Sequence, residues 1–318
     1  MVSVIIVTFN SASFITETLE SVKRQTYMPI ELIVSDDGST DDTMTLVKEW
    51  TRINRNRFTR TEILTTDKNS GTPANLNRGL SASKGLWLKY CAGDDLLSGN
   101  CISDNIDFVS ANPDASFVFS NGLTIDENGV QTGTIKSDGR KLSHDITGQY
   151  REMLKSSFVL TPSAFIRRES LITLGGYDER SRFLEDYPMW LKALRNGYRL
   201  YYLDKETVCY RKHSKGASLN LKNRSSFDKR IKWMETVSAV YDDKVVKDIF
   251  RFRMYGLYLN ILFTRRAYEG WKSGNKTKFR FYSVLRMIEP SHLIKQLRRN
   301  TLIRLSQLKN LFSGNGKK

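Results

Sequence analysis

The chain has 318 residues, with 50 Lys/Arg against 34 Asp/Glu and a net charge of +16. A hydrophobic fraction of 40 % gives room for a sizeable core and excludes a disordered or fibrous chain. Three widely spaced cysteines, Cys91, Cys101 and Cys209, make neither a disulfide framework nor a zinc motif and indicate a reducing compartment.

The opening "VSVIIVTF" is nearly continuous and β-branched, as expected of a strand buried on both faces. It lacks a basic leader and a cleavage site, so it reads as a strand and not as a signal peptide. Phe14, Ile15, Thr18, Leu19 and Val22 then share one helical face, with Ser11 or Ser13 as the cap. "IELIVSDDGSTDD" is a second strand entering a polar turn, and Asp41 to Trp50 a helix. "FTRTEILTT" is a third strand, Thr72 to Ser83 a helix, and "GLWLKYCAGDD" a fourth strand. Strands alternating with helices of this length indicate βαβ units and a parallel sheet.

After Asp95 the pattern changes. A helix covers Asn100 to Ser110, and "ASFVFSNGLTIDENGVQTG" reads as antiparallel strands turning at Glu127-Asn128-Gly129. Residues 131–147 are polar and glycine-dotted and read as a mobile loop. "SAFIRRESLITLGGYDE" gives a short strand, a helix and a glycine stop. "EDYPMWLKALRNG" is a helix ending at Gly197. "YRLYYL" and "ETVCYRKH" read as two strands, and the chain is helical from about Leu219. No apolar run reaches the ~18 residues of a membrane span.

Ligands of an open parallel sheet bind beyond the carboxyl ends of its strands. Strand one ends in Thr8-Phe9-Asn10, strand two in Asp36-Asp37-Gly38-Ser39, and strand four in Asp94-Asp95. An aromatic, a carboxylate and a carboxylate pair on one rim suit a base, a ribose and a metal–phosphate group. Each motif also has a plainer reading. Asp, Gly, Ser and Thr are turn and N-cap residues, "DD" pairs occur in solvated turns, and Glu185-Asp186 suits a helix N-terminus.

Taken together, "VSVIIVTFN", "IELIVSDDGSTDDT", "GLWLKYCAGDD" and "FLEDYPMWLKAL" resemble glycosyltransferase family 2 in content and order, across roughly residues 2–215. That resemblance implies an inverting enzyme with the α/β GT-A fold, a mostly parallel mixed sheet flanked by helices. It implies that the tip from Val7 through Thr8 and Phe9 to Asn10 meets the nucleotide base. Asp37 would accept a hydrogen bond from uracil, with Asp36 a structural alternative. Asp94 would face the ribose or sugar, and Asp95 would hold Mn²⁺ or Mg²⁺, a hard ion that needs few protein ligands beside diphosphate oxygens. His213 would complete the metal site or, with Arg211, contact the diphosphate. Asp186 would be the base that takes the acceptor's proton, with Glu185 second in line. In one departure, Leu76 stands where an arginine is common in the family. That leaves Arg78 or the 211–213 cluster for a phosphate contact.

The charge is uneven. Residues 221–318 hold 23 Lys/Arg and 7 Asp/Glu, the whole +16, while residues 1–220 hold 27 of each. Within that tail, residues 291–312 form a basic amphipathic pattern with Ile294, Leu297, Leu305 and Leu308 at helical spacing. The pattern suits either packing on the body or attachment to an anionic membrane; no nucleic-acid motif is present. The expected organisation is a GT-A domain over 1–218, split into a nucleotide half (1–97) and an acceptor half (98–218), then a basic helical region over 219–318. The expected activity is metal-dependent, inverting transfer from a nucleotide sugar, UDP-linked, to a glycan or lipid-linked oligosaccharide. The expected location is cytoplasmic, peripheral at the inner face of the membrane. A nucleotidyltransferase and a non-catalytic membrane scaffold are the alternatives. The first should carry a glycine-rich Lys/Arg phosphate loop where this chain has "TFNSASF", and the second has no need of Asp95 and Asp186 together.

Overall fold

A computed structural model describes residues 1–180, 185–214, 216 and 226–287. The chain divides between residues 223 and 224 into two compact units.

The first unit is built on one nine-stranded mixed sheet. Its parallel half contains β1 (Val2–Thr8), β2 (Ile30–Asp36), β3 (Arg60–Leu64) and β4 (Trp87–Ala92), in the order β3-β2-β1-β4. β1 is central, and Val2, Val4, Ile5 and Ile6 are fully buried, which explains its unbroken apolar run. The register sets Thr8 beside Asp36 and Val7 beside Ala92. The ends of β1, β2 and β4 therefore finish level on one rim.

Helices α1 (Ile15–Lys23), α2 (Thr43–Asn54) and α3 (Thr72–Ala82) supply the crossovers. Ile15, Leu19 and Val22 of α1 and Val47 and Trp50 of α2 fill the core. α3 lies so close to β1 that a Cβ on Gly79 would sit 2.4 Å from Ile5 Cγ2.

The second half of the sheet is largely antiparallel. After β5 (Leu96–Leu97) and α4 (Cys101–Ala111) comes β6 (Phe117–Ile125), which pairs antiparallel with β7 (Gln131–Ile135). α5 (Gly139–Ser143), α6 (Ile146–Met153), β8 (Phe165–Arg167), α7 (Arg168–Thr173), α8 (Asp186–Arg195) and β9 (Leu200–Arg211) complete the unit. β8 joins the two halves by pairing antiparallel with both β4 and β6.

Two sequence readings are corrected here. Residues 131–147 are structured: β7 is zipped to β6, Asp138 and Asp145 cap α5 and α6, and Leu142 is buried. Local polarity hid this order, because the order comes from pairing and caps and not from an apolar face. The two strands expected over 198–213 are the single strand β9, which runs parallel to β6. Irregular register around Asn121 absorbs the polar "DKE" between its apolar ends.

The second unit is helical: α9 (Ser226–Val240), α10 (Asp243–Arg251), α11 (Tyr255–Lys272) and α12 (Lys276–Met287). Asp242 caps α10, accepting from the Val245 amide at 2.8 Å. Among the described residues no helix is long and apolar enough to cross a membrane. The basic pattern over 291–312 lies outside the described residues.

Candidate active site

The rim at the ends of β1, β2 and β4 is tied together by its own backbone. The Asp37 amide donates to Thr8 O and the Gly93 amide to Val7 O, both at 2.9 Å. Val7 and Thr8 thus use their carbonyls to hold the neighbouring turns. A Cβ on Gly93 would lie 2.6 Å from Thr8 Oγ1, so only glycine fits between the β1 tip and the "CAGDD" turn. Asn10 sits at φ 52°, a left-handed conformation that asparagine tolerates. Its amide donates to Ser39 Oγ, and its Oδ1 accepts from the Thr40 amide, each at 2.8 Å. This pins the tip and leaves the Phe9 ring 44 % exposed beside it.

The adjacent carboxylates of β2 divide their work. Asp36 accepts from the Gly38 and Ser39 amides, Ser39 Oγ and Thr65 Oγ1, so it shapes its own turn. Asp37 accepts from the Ser70 amide (3.0 Å), Ser70 Oγ (2.6 Å) and the Gly71 amide (2.8 Å). Burial alone would raise the Asp37 pKa, but these bonds and Arg78 hold it below the usual carboxylate range. Arg78 is directed to this cluster and not outward: Nη1 donates to Asp36 O at 3.0 Å and Asn75 Oδ1 at 2.8 Å. Leu76 is a core residue.

At the end of β4, Asp94 and Asp95 diverge. Asp95 is 4 % exposed, and its Oδ1 accepts from the Arg211 amide at 2.8 Å. Burial first, then the charge of Asp94, pushes its pKa up to about 8; the Arg211 amide, Lys89 and the Arg211 charge offset this only in part. Asp94 Oδ2 lies 2.9 Å from His213 Nε2. His213, expected at the metal or the diphosphate, is the partner of Asp94, with its ring against Phe14.

Arg211, expected at the diphosphate, is bonded within this corner. It is 3 % exposed. Nε donates to Asp94 O (2.8 Å), Nη1 to the carbonyls of Asp126 and Glu127 (3.2 Å each), and Nη2 to Glu17 (2.7 Å). The guanidinium also lies over the Phe14 ring. Its donors hold this corner and do not face an open site.

Among the described residues no three His, Cys, Asp or Glu side chains converge as a ligand set. The donor chemistry nevertheless fits a hard divalent cation. Two adjacent carboxylates, one of them buried and short of positive charge, suit an ion that takes its remaining ligands from diphosphate and water.

The second carboxylate pair opens on a cavity of about 640 Å³ lined by Phe158, Thr161, Pro162, Glu185, Asp186 and Tyr210. Asp186 is the first residue of α8. Its Oδ1 accepts from the Tyr187 amide at 2.7 Å and its Oδ2 from Thr161 Oγ1 at 2.6 Å. Burial, then the neighbouring Asp186 charge, pushes Glu185 up to about 7. Glu185 is thus protonated below neutrality and ionised above it, a range suited to proton transfer near neutral pH. β9 joins the two carboxylate sites: Tyr210 lines the cavity, and the next residue's amide holds Asp95.

Sequence reasoning missed Thr161, Tyr210 and the cavity's Lys136 and Lys141. Thr161 lies in a short 3-10 turn, Thr161–Ser163, with no periodicity to mark it. The lysines lay in the segment read as a loop.

Residues 3–175 match the model of glycosyl transferase family 2. A curated relative from Escherichia coli, "UDP-Glc:alpha-D-GlcNAc-diphosphoundecaprenol beta-1,3-glucosyltransferase WfaP", is 28 % identical over 69 % of this chain and 80 % of its own. Matches to rickettsial uncharacterised glycosyltransferases span only 40 % of the Rickettsia felis protein and 59 % of the Rickettsia typhi one. Residues 1–349 of S. aureus TarS, solved with UDP-GlcNAc, superpose with a TM-score of 0.60 at 18 % identity, covering 88 % of this chain and 90 % of that one. The mannosyltransferase PcManGT of Pyrobaculum calidifontis, solved with GDP-Man and Mn²⁺, gives 0.54 at 20 % identity, covering 98 % and 87 %. At these identities the likeness is one of fold, the GT-A fold.

Proposed function

The chain belongs to glycosyl transferase family 2, and on that premise we propose that it transfers a sugar, with inversion, from a UDP-linked donor to a lipid-linked glycan. The observation that carries this reading is the pairing of two carboxylate sites through β9: Asp94 and Asp95 on the β-strand rim, and Asp186 in the adjoining cavity. The UDP-sugars in the names of WfaP and the TarS complex support a UDP donor.

Phe9 offers an exposed aromatic face to the base. Asp37 Oδ2 accepts one bond, from Gly71, and keeps a lone pair for the uracil N–H. Asp94 faces the ribose or sugar, with His213 holding its carboxylate. Asp95, with the charge of Asp94 beside it, would hold Mn²⁺ or Mg²⁺, which supplies positive charge where the departing diphosphate becomes negative. Asp186 takes the proton of the acceptor hydroxyl as its oxygen bonds to the anomeric carbon and the bond to UDP breaks. Two donated hydrogen bonds hold its carboxylate in place for that step. Of the two lysines lining the acceptor cavity, Lys141 is paired with Asp138 at 3.7 Å, which leaves Lys136 to meet an acceptor phosphate such as the diphosphoundecaprenol in the WfaP name carries.

The second unit supports a peripheral place on an anionic membrane. It carries nearly all of the chain's charge excess, and Phe227, Trp233, Phe250, Trp271 and Phe281 are exposed on it. The test is a panel of UDP- and GDP-sugars assayed for nucleotide release with and without Mn²⁺ and a diphosphate-lipid acceptor. Acceptor-stimulated UDP release from one UDP-sugar is expected; release from no nucleotide sugar would overturn the reading.

A further inference from the structure

Lys89 lies in β4, between Leu88 and Tyr90, with 0 % of its surface exposed. A buried ammonium is costly, and an apolar side chain would fill the same space without that cost. Among the described residues it forms no ion pair. Its Nζ instead donates to two backbone carbonyls, Pro162 O and Ala164 O, the latter at 3.4 Å. Those carbonyls belong to the Thr161–Ser163 turn and the residue after it. The turn has a second anchor in Ser163, whose Oγ accepts from the Ser120 amide at 2.8 Å and donates to Leu160 O at 2.7 Å.

What the turn presents is the Thr161 hydroxyl. Trp190 Nε1 lies 3.3 Å from Thr161 Oγ1, and Thr161 Oγ1 lies 2.6 Å from Asp186 Oδ2. An indole N–H can only donate, so the hydroxyl accepts from Trp190 and turns its own hydrogen to Asp186. The carboxylate is fixed from one side by this hydroxyl and from the other by the Tyr187 amide.

We propose that Lys89 is a positioning residue for Asp186, acting through the Thr161 turn. This rests on the reading of Asp186 as the base. The same strand that leads into the Asp94-Asp95 turn thereby also sets the acceptor-side carboxylate. A base displaced by a fraction of an ångström loses rate while donor binding persists.

The experiment is a double-mutant cycle in the full chain, with Lys89→Met, Thr161→Val and their combination, and with Thr161→Ser and Asp186→Asn as references. kcat, donor KM and UDP affinity are measured for each. Lys89→Met and Thr161→Val should each lower kcat by about 10–100-fold, with donor KM and UDP affinity within about threefold of wild type. Because one acts through the other, the double variant should be no worse than the weaker single within about threefold. Thr161→Ser, which keeps the hydroxyl, should recover most of the kcat that Thr161→Val loses. Multiplying losses in the double variant, wild-type kcat in Thr161→Val, or UDP affinity falling in step with kcat would each overturn the proposal. If Lys89→Met does not fold, Lys89→Gln, which keeps an N–H donor in the core, takes its place in the cycle with the same criteria. A fully active Asp186→Asn enzyme overturns the base assignment and this proposal together. An inactive Asp186→Asn beside wild-type rates in Lys89→Met and Thr161→Val overturns this proposal alone.

Discussion

Replacing Asp95 by asparagine should change how stability depends on pH. The carboxyl rises from an ordinary 3.8 to about 8 in the folded chain, through burial and then the charge of Asp94. A folded-state pKa above the unfolded one means that the folded state holds the proton more tightly. The associated stability is fully present below about pH 4 and is lost as pH rises through about 8. At about 1.36 kcal/mol per pH unit the ceiling is about 6 kcal/mol. Water entry and local relaxation around the carboxylate reduce this, so about 2–4 kcal/mol is expected. The assay is denaturant unfolding of metal-free wild type and Asp95→Asn at pH 5 and pH 9. Other titrating groups, including Asp37 with its opposite sign, are common to both proteins and largely cancel in the difference. Wild type should lose about 2–4 kcal/mol relative to Asp95→Asn between these pH values. Mn²⁺ should restore wild type at high pH, where the carboxylate is free to bind it, and should do little at pH 5 or in the variant. Parallel pH profiles for the two proteins, with no Mn²⁺ effect, would refute the argument that this corner is a carboxylate pair short of a cation.

Three further outcomes follow from the site. Phe9→Ala should weaken UDP binding by about 3–10-fold, the size of a lost ring contact, in calorimetric titration, with little change in folding because the ring is exposed. Gly93→Ala should destabilise the fold by about 1–3 kcal/mol, read as a fall in the denaturation midpoint, because its Cβ would lie 2.6 Å from Thr8 Oγ1 and 2.9 Å from Thr8 Cβ. Lys136→Gln should raise KM for a diphosphate-bearing acceptor by about tenfold or more, and leave KM for a phosphate-free glycan analogue unchanged. Equal effects on both acceptors would remove the phosphate-binding role of this lysine.

The parallel half of the fold was legible because its signals are local. β1 is buried on both faces and reads as a continuous apolar run, α1 presents one apolar stripe, and register then levels the strand ends by geometry. The antiparallel half was less legible because its order is imposed from a distance. β7 has a polar sequence and exists through β6, and α5 and α6 owe their starts to Asp138 and Asp145 caps. At the site, sequence singles out Asp94, Asp95 and Asp186 as candidates but not their partners. The diphosphate expectation for Arg211 rests on resemblance to the family's segment after the strand, which says nothing of its neighbours in this chain. Only the fold brings Glu17, Asp94, Asp126 and Glu127 around it. Lys89 did leave a signal, a lone charge inside the apolar run "GLWLKYCA", which is rare in a strand covered on both faces.

The most direct test of the central claim compares wild type and Asp186→Asn with the preferred nucleotide sugar and acceptor, measuring transfer by product mass and UDP affinity by calorimetry. Transfer should fall by about 10²–10⁴-fold, the range of a lost general base, while UDP affinity stays within about threefold. A wild-type transfer rate in Asp186→Asn would contradict the account.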